Sequence, residues 1–265
     1  MIQLIASDLD GTLLDSSGRL PEQIFPMIEK LYEKGILFCA ASGRQLCALE
    51  KMFAPVRDKA VFIAENGALC AYAGEILSKN LLSEENVLRS LGEVRKIGGA
   101  YPLLCTVDCA YYEDDEPVFA DFVRASYISN ARAEKPLVSL ADRSEVCKIA
   151  VYDTFGPENN SMKVLPERLA GLRVIQSGGN WLDISDPHVN KGEALRLILR
   201  KFGIPPENCA AFGDHMNDYE MLLACGHPYV TENAFPPLKK LIGRTIPSND
   251  EGGVLTALAD ILESA

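Results

Sequence analysis

Four short, mostly apolar runs, Ile2–Ser7, Leu37–Ala41, Val61–Ala64 and Cys209–Phe212, constrain this chain more than any other feature. Each is bounded by glycine or polar residues, and none alternates apolar with polar along its length. Such runs mark strands covered on both faces, as in a parallel sheet with helices above and below. Helical patterns intervene. Ile24, Met27, Ile28 and Leu31 recur at helical spacing within Glu22–Lys34, ahead of Gly35, and Pro26 predicts a kink or a late start. Leu195, Ile198, Leu199 and Phe202 repeat the spacing after Lys191, ending at Gly203, and Asn190 and Glu193 have the spacing of a capping box. Gly253–Glu263 predicts a last helix. Strand and helix alternating in this way specify an α/β fold with a parallel sheet.

At 265 residues the chain is long for one domain and short for two, which suits a core carrying an insertion. The rhythm changes at residues 83–185. This stretch predicts helices over Glu84–Lys96 and Asn160–Ala170, and strands over Tyr101–Val107, Cys147–Asp153, Leu172–Ser177 and Trp181–Ile184. It reads as a separate α/β domain, with turns at Gly98-Gly99, Gly156-Pro157 and Gly178-Gly179-Asn180. Trp181, the one tryptophan, could stack on a ring, but a single tryptophan in an apolar strand is more often core.

Composition narrows the function. A net charge of −11 argues against nucleic acid and acidic membranes as partners, so an anionic ligand must be drawn by local cations or a metal. No run approaches the ~18 apolar residues of a membrane span. The N-terminus lacks the layout of a secretory signal, and the eight cysteines form no C-x-x-C pair. The expectation is a cytoplasmic protein with reduced thiols.

Asp8-Leu9-Asp10-Gly11-Thr12 follows the first strand. Side chains two apart in an extended chain point the same way, so Asp8 and Asp10 are expected to converge while Gly11 turns the backbone. A calcium loop also opens with D-x-D, but it needs an acid or amide, a glycine and a glutamate where this chain has Thr12, Leu13 and Arg19. Three more segments lie just past strands or at a helix start. Ser42-Gly43-Arg44 offers a hydroxyl, a flexible backbone and a guanidinium, with Ser42 as a plain helix N-cap the alternative. Lys191 sits in a first helical turn, where the helix dipole disfavours a cation, so another interaction must compensate; a bound phosphate would do so, and a stem reaching water is the alternative. Gly213-Asp214-His215-Met216-Asn217-Asp218 supplies further oxygen donors, with Asp218 alternatively the N-cap of a helix over Tyr219–Ala224. His215 reads as a loop residue, because magnesium prefers oxygen.

In this order the four segments resemble the four motifs of the haloacid dehalogenase superfamily of phosphatases, and Glu65-Asn66-Gly67-Ala68 and Asn233-Ala234 resemble connecting motifs of its Cof-like subgroup. The resemblance implies a Rossmann-like core of residues 1–82 and 186–265, a parallel sheet flanked by helices, with an inserted α/β cap domain at 83–185. It implies Asp8 as a nucleophile that takes the phosphoryl group as an aspartyl phosphate, and Asp10 as the acid that protonates the leaving alcohol and then activates water. Mg2+ would be held by Asp8, the backbone carbonyl of Asp10, and Asp214. Ser42, Gly43, Arg44, Lys191 and Asn217 would bind the substrate phosphate, with Asp218 behind them orienting Lys191 or the metal shell. His215, and Asp250-Glu251-Gly252-Gly253, depart from the subgroup's usual residues. The expected partner is a small phosphorylated metabolite, a sugar phosphate or similar monoester. A phosphomutase using the same intermediate and a non-catalytic phospholigand-binding protein are the alternatives. The physiological substrate and the oligomeric state are not legible in the sequence.

Overall fold

The computed structural model describes residues 1–142 and 144–264. From the N-terminus the strands are β1 (Leu4–Asp8), β2 (Leu37–Ala41), β3 (Ala60–Ala64), β4 (Leu69–Tyr72) and β5 (Glu75–Lys79). There follow β6 (Ala100–Thr106), β7 (Ala110–Tyr112), β8 (Asn130–Arg132), β9 (Val146–Asp153), β10 (Arg173–Gly178) and β11 (Trp181–Ser185). The last three are β12 (Cys209–Gly213), β13 (His227–Thr231) and β14 (Thr245–Ile246). They form an eight-stranded sheet, ordered β14-β13-β12-β1-β2-β3-β4-β5, and a six-stranded one, ordered β10-β11-β9-β6-β7-β8.

The first sheet is parallel from β14 through β3, and β4 runs antiparallel to β3. Its order reverses at β1, which lies between β2 and β12. Such a switch point opens a crevice beyond the carboxyl ends of the strands. The apolar runs are the central strands because both faces are covered. Leu4, Ala6, Cys39, Ala41, Val61, Ile63 and Ala211 meet Ala194, Leu195 and Ile198 of the helix Lys191–Phe202. Phe38 and Phe62, on the opposite face, close on Phe53 at ring distances of 6.1 and 6.0 Å. Pro26 neither starts nor ends its helix: Ile24–Glu33 carries it at the third position, in the first turn, where an N–H has no helical partner to lose.

The chain divides into two compact units, Met1–Ser78 with Asn190 onward, and Lys79–Val189. The second takes in a few residues on either side of the 83–185 stretch. Lys79 Nζ pairs with Glu145, and Leu82 N donates to Val146 O, so residues 79–82 already belong to it. Its sheet is antiparallel except between β7 and β8. One face packs on Val87, Leu91 and Val94 of the helix Glu84–Val94. The other packs on Phe119 and Val123 of the helix Pro117–Ser126, with Trp181 among the packed aromatic rings.

The expected helix at Asn160–Ala170 is broken into the short turns Ser161–Lys163 and Leu165–Arg168. Pro166 lacks a donor, and Asp153 draws the local donors to itself. Its buried carboxylate accepts from Ser161 N (3.0 Å), Ser161 Oγ (2.5 Å), Asn160 Nδ2 (3.1 Å) and Phe155 N (3.0 Å). Burial alone would raise its pKa, but these bonds together outweigh that and hold it below the ordinary 3.8. Stability from this carboxylate is therefore present above pH 3.8 and lost as pH falls through its lower folded value. Asp153→Ala leaves buried donors without an acceptor and is expected to lower unfolding free energy by about 2–3 kcal/mol in urea titrations at neutral pH. The deficit should shrink as the wild type is taken into that acid range.

Candidate active site

β1 ends on Asp8, a residue 5% exposed, and the chain passes at once into a five-residue turn, Leu9–Leu13, closed by Leu14 N donating to Leu9 O. Within it Asp10 keeps ψ 117° and Gly11 takes φ +80°. Glycine at position 11 is required twice over: its φ favours glycine, and a Cβ there would lie 2.4 Å from Asp214 Oδ2. The neighbouring strand β12 ends on Gly213, so Asp214 emerges beside Asp8. Thr12 Oγ1 donates to Asp214 Oδ1 at 3.2 Å, a contact signalled in the sequence only by the place of Thr12 in the D-x-D-G-T run.

Lys191 comes from a distant part of the chain, in the first turn of its helix. Asn190 Oδ1 accepts from Glu193 N at 2.8 Å, half of the expected capping box; Glu193 turns outward to Arg196. The helix start is pressed close to the 218–220 turn, since a Cβ on Gly192 would lie 2.3 Å from Glu220 O. Lys191 does not reach water: it is 1% exposed, and Nζ donates at 2.6 Å to both Asp8 Oδ1 and Asp218 Oδ1. Burial opposes its charge, but attraction to Asp218 and Asp8 prevails and raises its pKa above the ordinary lysine value. These two carboxylates supply the compensation that the helix dipole demands.

Asp218, fully buried, is not the plain N-cap of the short helix Tyr219–Leu223, for its side chain makes no cap bond there. Its Oδ2 accepts instead from Asp214 N (2.9 Å) and His215 N (3.1 Å), tying the loop back on itself. Asp8, Asp214 and Asp218 each place a carboxylate oxygen within 4.8 Å of the others. With all three ionised around one ammonium, the group carries two negative charges in excess. Burial pushes the Asp8 carboxyl well above the usual range, assisted by Asp218 and opposed by Lys191. Burial and Asp218 likewise raise Asp214. An all-oxygen, net-negative donor set fits a hard divalent cation such as Mg2+.

The Asp10 carboxylate is not in that group. The i, i+2 convergence needs an extended backbone, and the chain leaves the strand at Asp8. Asp10 faces Arg44, with Nε to Oδ2 at 2.9 Å and Nη2 to Oδ1 at 2.5 Å. Ser42, 1% exposed just past β2, accepts from Arg44 N at 3.2 Å; the N-cap position of the helix after it falls on Gln45, whose side chain makes no cap bond. A Cβ on Gly43 would lie 3.0 Å from Asn66 Nδ2, and Asn217 Nδ2 lies 3.5 Å from Asn66 Oδ1. Asn66 holds φ +56°, a conformation asparagine tolerates. Asn233 Nδ2 donates to Gly11 O at 2.7 Å, fixing the turn after Asp8. Asn66 and Asn233 thus support the site, though only their motif context marked them in the sequence. The His215 ring lies 5.1 Å from that of Phe235.

A family model described as haloacid dehalogenase-like hydrolase matches residues 5–258. The 5-amino-6-(5-phospho-D-ribitylamino)uracil phosphatase YbjI of Escherichia coli (strain K12) is 27% identical, the alignment covering 99% of this chain and 97% of that protein. An HMP-PP phosphatase of Cronobacter sakazakii is 28% identical over 90% of this chain and 87% of its own. A crystal structure from Thermotoga maritima, 27% identical, superposes with a TM-score of 0.85 over 98% of this chain and 97% of that one.

The crowding of carboxylates sets a measurable sign. Asp8 and Asp214 have folded pKa values above the unfolded 3.8, so the stability they contribute is full below that pH and is lost as pH rises through their folded values. Asp8→Asn in chelator is therefore expected to be more stable than wild type at neutral pH, by about 0.5–2 kcal/mol. Thermal melts between about pH 4 and 8 should show the gap widening with pH.

Proposed function

The chain is a member of the haloacid dehalogenase-like hydrolases, and we propose that it is a Mg2+-dependent phosphatase that hydrolyses small phosphorylated metabolites, sugar phosphates or similar monoesters, through an aspartyl phosphate. The observation that carries this reading is the constellation of buried Asp8, Lys191 and Asp218 with half-buried Asp214 at the switch point of the parallel sheet. The relatives named for phosphatase action on an aminouracil phosphate and on HMP-PP support the substrate class. Eight free cysteines agree with a reducing compartment, which we take to be the cytoplasm. No helix among the described residues is long and apolar enough to cross a membrane.

Asp8 is the nucleophile. One of its oxygens bonds to phosphorus as the bond from phosphorus to the leaving oxygen breaks, and Asp10 gives that oxygen a proton. Water then attacks the aspartyl phosphate, Asp10 takes a proton from it, and the bond between phosphorus and Asp8 breaks to release inorganic phosphate. Ser42, the backbone at Gly43, Lys191 and Asn217 receive the phosphoryl oxygens, and preset donors of this kind need no rearrangement as charge spreads in the transition state. Lys191 also fixes which oxygen of Asp8 stays hydrogen-bonded, and Asp218 positions Lys191 and the Asp214 loop. Asp8, the Asp10 carbonyl and Asp214 are the residues that would hold Mg2+. When bound, the ion offsets the repulsion between the Asp8 carboxylate and an incoming phosphate.

A phosphate-release screen over a panel of metabolites tests this. Release should depend on added Mg2+ and vanish in chelator. Asp8→Asn should abolish turnover, and Asp10→Asn should lower kcat by about 10²–10⁴-fold on alkyl phosphates. Wild-type turnover in Asp8→Asn, or an inert wild type that still binds phosphate esters tightly, would reject the assignment.

A further inference from the structure

Sequence pattern groups Arg44 with the residues that bind the substrate phosphate, yet its guanidinium is engaged with a side chain of the protein. Nε and Nη2 donate in parallel to the two oxygens of Asp10, at 2.9 and 2.5 Å. This fork-to-fork geometry fixes the plane of a carboxylate as well as its distance, which a single hydrogen bond does not. The carboxylate needs such a hold. Asp10 lies on a turn outside the strand, its side chain is 57% exposed, and the cluster of Asp8, Asp214 and Asp218 does not include it.

Resting on the phosphatase reading above, we infer that Arg44 is a positioning residue for Asp10: its guanidinium fork sets where the acid–base carboxylate stands relative to the leaving oxygen. The fork occupies one lone pair on each Asp10 oxygen and leaves the other for a proton in transit, because a carboxylate has about four acceptor sites. Arg44 projects from the residues just past β2, whereas Asp10 lies just past β1, and these two strands pair in register from Leu4–Leu37 to Asp8–Ala41. The sheet therefore sets the origin of both side chains, and the fork sets where they meet. An exposed ion pair adds little to fold stability, so the pair's worth lies in alignment, to which proton transfer is sensitive.

Leaving groups separate this role from direct phosphate binding. p-Nitrophenolate departs without a proton, an alkoxide does not, and the transferred phosphoryl group is the same in both esters. The Mg2+-loaded full chain is assayed for kcat/KM on p-nitrophenyl phosphate and on ethyl phosphate, as wild type, Arg44→Gln and Arg44→Lys. Because kcat/KM ends with departure of the leaving group, the later water step does not enter it. The expected result is a loss at least tenfold greater on ethyl phosphate than on p-nitrophenyl phosphate in both variants, since lysine keeps the charge but cannot form the fork. In an Asp10→Asn background Arg44→Gln should then cost less than about twofold on ethyl phosphate. Equal losses on the two esters, restoration of both by Arg44→Lys, or no loss on either would overturn the inference while leaving the phosphatase reading intact. A wild type that releases phosphate from neither these esters nor the metabolite panel would overturn both. Melting curves of the variants matching wild type would show that the fold is unaffected.

Discussion

Lys191 is withdrawn almost completely from water, and its ammonium rests 2.6 Å from one carboxylate on β1 and 2.6 Å from another past β12. Taking such a charge out of solvent is costly, and the cost is offset only where the geometry is good on both sides. Three distant parts of the chain must therefore arrive together: the end of the first strand, the first turn of the helix Lys191–Phe202 and the loop before Tyr219. Glycines at 11, 192 and 213 let them approach to distances at which any Cβ would collide with a neighbouring residue. A buried charge that can be satisfied in only one arrangement selects that arrangement over near alternatives, and such selection suits a site whose atoms must be held to fractions of an ångström.

Burial raises the pKa of Asp8 and Asp214, and the cluster's excess of negative charge adds to it. Functional sites commonly hold groups in environments that a purely structural core would avoid. Here the discomfort lies in the cluster that, on the function proposed above, receives both an anion and a cation. Asp218 is the exception: it is fully buried, and its two oxygens are bonded to Lys191 on one side and to the backbone of residues 214 and 215 on the other.

Most of the core was legible because its strands are covered on both faces. A stretch such as Leu37–Phe38-Cys39-Ala40-Ala41 can be little else, and the structure assigns Leu37–Ala41 to a strand. The positions of Asp8, Ser42 and Asp214 just at or past strand ends were readable for the same reason. The conformation of the turn after Asp8 was not. A period of two holds only while the backbone stays extended, and the strand ends at Asp8, with the turn Leu9–Leu13 beginning at the next residue. The insertion was harder to read because its segments are short and mixed. The three-residue strands at 110–112 and 130–132 carry too little pattern to stand out, whereas the helix Pro117–Ser126 does bury Phe119, Ala120 and Val123 at helical spacing. At 160–170 a helical pattern was overruled by a single buried carboxylate that captured the local donors. Arg44 is the most instructive case: its motif named it, but only coordinates tell which anion it serves.

The eight-stranded sheet has two rims, and neither invites addition. On one side β14 consists only of Thr245 and Ile246, too brief a row of free backbone groups to template another chain. On the other, β5 opens with Glu75 and closes with Lys79, charges that penalise an incoming strand. A wide, mostly parallel sheet is slow to assemble and would otherwise tend toward intermolecular zippering. Margins of this kind give an incoming strand little to pair with.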